Sequence, residues 1–264
     1  MLLFLTILFY LLGSSHALFV NRTGCGRTKG CMFKPLGCDP NLDCTTAIVF
    51  YVVGPNQLRF EMSATALIPS VQQQYVAAAF SHDSEMGEDA VSECVLSDMG
   101  QLYGYEPEIF VSFNKGKSND RVFLNTDEHQ TLIKDVESEV VDGRLTCMFT
   151  QQIIPEIDTK NGQIWSLDKD YYVMAATGSA QPDEVNAHDM NKGSHFYPMV
   201  SNQKINPSEM TEVRYDLTRY GTSKPVAAAP ASVPDSSPRM MNVMPSSLSS
   251  QLTLVLPMFF LLFV

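Results

Sequence analysis

Basic residues are scarce in this chain: 18 Lys and Arg stand against 29 Asp and Glu, a formal charge of −11. That deficit opposes nucleic acid and anionic lipid surfaces, so nucleic acid is set aside as a partner. No GxSxG, no HExxH and no glycine-rich loop between a strand and a helix occurs, which removes the usual footing for hydrolysis or phosphate transfer. CxxC pairs are missing too. The first four of the six cysteines are separated by five, six and five residues, a spacing that does not suit a zinc site. Long segments of helical period are lacking, and so is any apolar run of the roughly 20 residues that a membrane-spanning helix needs.

What is present at the two ends is apolar but short. The opening MLLFLTILFYLLGSSHA has the layout of a secretory leader, with cleavage expected after Ala17. No Lys or Arg precedes Arg22, so this reading rests on the apolar core and the Ser15-His16-Ala17 site. The closing LTLVLPMFFLLFV, from Leu252 to Val264, follows a short polar spacer and the small residues Ser246 and Ser247. This is the tripartite pattern of a GPI-anchor signal, with lipid attached at Ser246 or Ser247, and the alternative is a tail-anchoring helix from about Leu248. Either arrangement places the bulk of the chain on the extracellular face of the plasma membrane, with the outer leaflet as its support.

Five segments are expected: a leader over 1–17, a Cys-rich lead-in over 18–44, one folded domain over 45–210, a stalk over 222–247 and the apolar anchor signal over 248–264. The stalk is dominated by Pro, Ala and Ser and cannot bury enough surface to fold. All six cysteines, Cys25, Cys31, Cys38, Cys44, Cys94 and Cys147, lie in the exported part, and an even count in an oxidising compartment reads as three disulfides. The sequon at Asn21 fits a glycosylated surface.

Within the domain, TTAIVFYVV, a GPN turn and LRFEMSA form a hairpin over Thr45 to Ala66. Leu58, Phe60, Met62 and Ala64 fall on one face of its second strand and Arg59, Glu61 and Ser63 on the other, the alternation of a half-buried strand. Further strands are expected at Tyr75 to Phe80, Ala90 to Leu96, Glu108 to Asn114, Asp120 to Asn125, Thr131 to Val136, Arg144 to Ile153 and Tyr171 to Ala176. Many short strands separated by turn-formers argue for two packed antiparallel sheets, an all-β sandwich. Cys94 and Cys147 sit inside two of these strands, so a bridge between them would tie the sandwich together. The pairing of the other four stays open among three connectivities.

The stretch YVAAAFSHDSEMGEDAVSEC resembles the signature of the DOMON family, in which a strand of small residues ending in Phe-Ser leads into a Met-Gly turn. GCGRTKGCMFKPLGCDPNLDC near the start, and WSLDKDYYVMAATG followed by a His-bearing loop, are similar to DOMON domains of ferric-chelate-reductase-like proteins. The likeness covers about Gly24 to Asn206. It implies an immunoglobulin-like antiparallel sandwich that holds a b-type haem or binds a sugar. The haem-binding type implies a Met from the Met-Gly turn and a His from a late loop, here Met86 and His188 in VNAHDMNKGSH, with His195 as the alternative His.

Imidazole plus thioether makes a six-coordinate iron with no open position, suited to electron transfer rather than oxygen chemistry. An apolar slot for such a group would be walled from Tyr75, Phe80, Phe110, Phe113, Trp165 and Tyr172. Asp89 would orient the turn, and His82 and His129 read as surface residues. Other methionines, such as Met62, Met99, Met148, Met174 and Met190, read as core filler or surface. The implied role is an electron carrier rather than a complete oxidoreductase, fed by a transmembrane cytochrome or another redox partner. The alternative is a haem-free module that binds carbohydrate or a cell-surface protein.

Overall fold

The computed structural model describes residues 17–97 and 107–212. The leader, the stalk over 222–247, the anchor signal with Ser246 and Ser247, and Met99 lie outside the described residues.

Among the described residues eleven strands form two antiparallel sheets. In chain order they are β1 Gly30–Lys34, β2 Thr46–Gly54, β3 Gln57–Thr65, β4 Gln73–Ser81, β5 Asp89–Ser97, β6 Glu108–Lys115, β7 Ser118–Arg121, β8 Ile133–Val141, β9 Arg144–Gln152, β10 Tyr172–Ser179 and β11 Met199–Val200. A single short helix among the described residues, α1 Thr126–Leu132, precedes β8. One sheet runs β1-β2-β3-β9-β8 and the other β11-β10-β4-β5-β6-β7. The all-β sandwich expected from the strand pattern is what forms.

Period-two alternation explains which face each strand buries. Leu58, Phe60, Met62 and Ala64 point inward from β3 and are completely buried, as the LRFEMSA pattern requires. Val76, Ala78 and Phe80 of β4 meet them from the opposite sheet. Phe60 stacks on Phe149 with centroids 4.9 Å apart, and Phe50 and Phe80 close the group edge-on at 6.1 Å. The space between the sheets is therefore filled by side chains. The disulfide between Cys94 on β5 and Cys147 on β9 crosses this core, and Cys25–Cys31 and Cys38–Cys44 complete the set.

Three expectations are corrected. The Cys-rich lead-in is part of the sandwich: its residues 30–34 form β1, paired with β2 from Gly30↔Phe50 to Lys34↔Thr46. Gly30 is required there, because a Cβ would lie 2.1 Å from the Phe50 ring. The second face of β3 is buried rather than solvated, since the N-terminal strap covers it. Val20 packs with Val49 and Met148, the Asn21 amide donates to Glu61 Oε2 at 2.7 Å, and the Leu18 amide donates to Glu139 Oε2 at 2.5 Å. Finally, Asp120 to Asn125 is not a strand. Pairing stops at Arg121, and Asn125 caps α1, its side chain accepting from the Glu128 amide while Glu128 returns a bond to the Asn125 amide.

Candidate functional site

The outer face of a sheet in a two-layer sandwich ordinarily meets water. On the six-stranded sheet it does not: Tyr75, Ala77, Ala79, Val91, Val95 and Met174, all outward-facing, are 4–9% exposed. The register lays these residues out in rows. Ala176, Ala77, Glu93 and Phe110 are neighbours across β10, β4, β5 and β6, and Met174, Ala79, Val91 and Ser112 form the next row. Rows stand roughly 7 Å apart along the strands, and strands about 4.8 Å apart. Three alanines at adjacent positions make a flat floor, bounded by the taller Tyr75, Met174 and Phe110. Gly178 keeps the Tyr75 end tight, since a Cβ there would lie 2.8 Å from the Tyr75 ring.

The two ends of this shelf carry the residues that the family resemblance singles out. At one end β4 leaves the sheet at Ser81, paired with Tyr172, and enters the Met-Gly turn. Asp89 Oδ2 accepts from the Gly87 amide at 2.8 Å and from Asn114 Nδ2 at 3.0 Å, which fixes the turn. Met86 is 38% exposed.

At the other end β10 leaves at Ser179, level with Gln74 of β4. A tight turn brings Asn186 back so that its amide donates to Ser179 O at 2.9 Å, and His188 follows two residues later. Ala180 and Val185 of this segment pack against the shelf, and Pro182 O accepts from Arg121 Nη1 at 2.7 Å, so the segment leans across to β7. The Met86 turn and the His188 loop are thus rooted at opposite ends of the same strands, roughly 23 Å apart at 3.3 Å per residue. They do not share one cluster.

His195 lies elsewhere. Its carbonyl accepts from Thr45 Oγ1 at 3.0 Å, and Lys34 Nζ donates to the carbonyls of Ser194 and Tyr197, so this part of the loop is held against the end of the five-stranded sheet. Asp189 is held below the usual carboxylate range, chiefly by its hydrogen bonds from Ser194 and the Asn191 backbone. Of the proposed slot walls, Tyr75, Phe110 and Tyr172 belong to the outer face, whereas Phe80 is core between the sheets. Phe113 and Trp165 sit at the Met86 end, their rings edge-on at 6.1 Å.

His82 is exposed, as expected, yet stacks on Trp165 at 4.5 Å and approaches Tyr171 at 5.4 Å. The Tyr171 hydroxyl donates to Ser166 O at 2.7 Å, and burial with the nearby Asp168 charge pushes its pKa up to about 12. His129 is a correction: it is half-buried, with Nε2 2.8 Å from Ile109 O, and pins α1 to β6.

Sequence reasoning missed the polar border of the shelf. Glu93 is fully buried on the outer face, its carboxyl raised by burial against the opposing pull of Ser112, Arg121 and Asn119. The one available signal was the alternation in DAVSECV, which puts Glu93 on the same face as Val91 and Val95.

Fold and face together define a disulfide-bonded antiparallel sandwich domain with an apolar, alanine-floored shelf on one outer face. No protein-family model matches the chain. Among curated proteins it is similar to ferric-chelate reductase 1 of Bos taurus, 27% identical over 187 residues that make up 70% of this chain and 27% of that protein. It is equally similar to putative ferric-chelate reductase 1 of Xenopus laevis, 27% identical over 72% of this chain and 28% of the relative. The DOMON domain-containing protein FRRS1L of Mus musculus is 28% identical over 72% of this chain and 58% of its own length. The chain thus spans about a quarter of the length of the ferric-chelate reductases it matches. These similarities support the DOMON resemblance and carry no statement about haem. Among the described residues no helix is long and apolar enough to cross a membrane.

Proposed function

We propose that this chain is an extracellular, membrane-tethered DOMON-type domain that carries one b-type haem and relays single electrons. The observations that support the reading are the Met86 turn, fixed by Asp89 through Gly87, and the 27% identity to ferric-chelate reductase 1 over 70% of the chain; the His188 loop is rooted at the far end of the same strands. A slot between the sheets does not fit, because the phenylalanine core fills that space.

Met86 and His188 are the residues that would hold the iron. His195, whose backbone carbonyl accepts from Thr45 Oγ1, is the alternative ligand. When bound, such a group supplies one-electron exchange without an open coordination position. The chain's own residues orient the donors. Asp89 ties down the Met86 turn through Gly87, and Ser179 ties the His188 loop through Asn186. Similarity to ferric-chelate reductases, of which this chain matches about a quarter, supports a redox role.

The test is optical. The secreted chain, expressed with haem supplementation, is expected to show a low-spin Soret band that sharpens on dithionite. Met86→Leu and His188→Ala each convert it to a high-spin spectrum, and His195→Ala leaves it unchanged. A chain that stays colourless after haem is added back overturns the reading.

A haem-free recognition role has one observation in its favour, the stack of His82, Trp165 and Tyr171 at the Met86 end. Flat aromatic side chains with a polar tip serve as contact surfaces for ligands of mixed polarity, including sugar rings. Glycan-array binding that is lost in Trp165→Ala, from a colourless chain, would establish that role instead.

A further inference from the structure

The N-terminal strap crosses the outer face of the five-stranded sheet and is held there through its backbone. The Val20 amide donates to Asn41 Oδ1 at 2.8 Å, and Asn41 Nδ2 returns a bond to Val20 O at 3.0 Å. Beside it the Asn21 amide donates to Glu61 Oε2 at 2.7 Å, while Lys29 Nζ donates to Asn21 O at 3.0 Å. Val20 is fully buried under these bonds, against Val49 and Met148. The middle of the strap is thus pinned to β2, β3, β9 and the loop closed by Cys38–Cys44.

Its first bond is of another kind. Leu18 N donates to Glu139 Oε2 on β8 at 2.5 Å. Glu139 is half-buried, and among the described residues no lysine or arginine pairs with it. Two other carboxylates on this outer face are matched: Glu61 lies 3.9 Å from Lys29, and Glu137 lies 2.7 Å from Arg59. A neutral amide offers Glu139 a hydrogen bond but no charge, so its carboxylate stands partly desolvated without a counter-ion. Leu18 is also the residue that follows the expected cleavage site Ser15-His16-Ala17.

We propose that removal of the leader completes this site, and that the α-ammonium released on Leu18 is the counter-ion of Glu139. Water, delivered by a leader-specific peptidase, hydrolyses the Ala17–Leu18 bond; the carboxylate leaves with Ala17 and the amine, protonated, stays on Leu18. The nitrogen already lies at hydrogen-bonding distance, so cleavage changes the charge in place and the strap need not move. A bond between an ammonium and a carboxylate is stronger than one between an amide and a carboxylate, because both partners are charged. Since β8 is an edge strand, the pair also ties that edge of the sheet to the strap. The inference is independent of the haem reading: strap and shelf lie on the outer faces of different sheets.

The test expresses the full chain with its own leader in secretory cells in four forms: unchanged, with Gly-Ser inserted between Ala17 and Leu18, with Glu139→Gln, and with both changes. The N-terminal peptide of the unchanged form is expected to begin at Leu18 by mass. Acetylation by an N-hydroxysuccinimide ester at neutral pH, with the exposed Lys117 as internal reference, should label its α-amine at least tenfold more slowly than that of Glu139→Gln or of the insertion. Thermal midpoints give a second reading. The insertion and Glu139→Gln should each lower the midpoint by about 2–4 °C, and together by no more than either alone. If Glu139→Gln does not fold, the insertion, which keeps Glu139 and displaces only the charge, decides the labelling comparison. A mature chain that begins elsewhere, α-amines that label equally fast, or losses that add in the double form overturn the proposal.

Discussion

Glu93 and Met86 illustrate how differently single residues declare themselves. Met86 is conspicuous in the sequence because an apolar side chain in the polar turn HDSEMGED needs a reason, and the structure leaves it part-exposed at the end of the shelf. Glu93 looks like any strand carboxylate until the register shows its neighbours to be Ala77 and Phe110. Its pKa, raised mainly by burial, gives a testable pH dependence. A carboxyl that binds its proton more tightly when folded contributes stability that is whole below the unfolded value of about 4.3 and is lost as pH rises through the folded value. Measured against Glu93→Gln, which cannot ionise, the wild type should fare best near pH 4 and lose ground steadily toward pH 7. Thermal midpoints of both proteins across that range supply the measurement. A gap that widens in favour of the wild type as pH rises would mean that the Arg121 pair outweighs burial.

Among the elements, β5 and β9 are the most strongly constrained, since Cys94 and Cys147, 53 positions apart, join them through the core. Closing a loop of that length removes enough unfolded-state entropy to contribute about 4 kcal/mol. The double variant Cys94→Ala, Cys147→Ala should therefore lower the unfolding free energy by about that amount in urea. A loss under about 1 kcal/mol would show that β3 and β9 hold the sheets without the bridge. This pairing was legible because both cysteines fall inside alternating strands, and the β2–β3 hairpin was legible for the same reason. The lead-in was not: in KGCMFK the alternation is brief, and cysteine spacing hides a strand whose register depends on Gly30 fitting under Phe50. Helix α1 was passed over although Asn125 and Glu128 stand at capping-box spacing, because seven residues between two expected strands are too few to show a helical period. The shelf was half legible. Tyr75 and Phe110 were identified as walls, but only the register shows that they wall an outer face and that Phe80 does not.

At the scale of the whole molecule, the proposed membrane tether can be tested against its alternative. The final apolar run, Leu252 to Val264, would extend only about 20 Å as a helix, against the ~30 Å of a hydrocarbon core, and Pro257 interrupts it. A segment that short anchors poorly by itself, whereas its removal in exchange for a lipid at Ser246 or Ser247 would leave two acyl chains in the outer leaflet. The two arrangements respond oppositely to phosphatidylinositol-specific phospholipase C. A lipid-anchored chain is expected to leave intact cells on treatment and to partition into the aqueous phase of a detergent separation, while a tail-anchoring helix leaves it on the cell pellet. Replacing Ser246 and Ser247 together by leucine should abolish surface display under the lipid arrangement and leave it unaltered under the other. An electron carrier confined to the outer leaflet can meet a membrane-bound donor by lateral diffusion, so release by the phospholipase should also separate the domain from whatever reduces it. Reduction of the haem by intact cells, followed in the Soret band before and after treatment, would then fall with the surface-bound fraction.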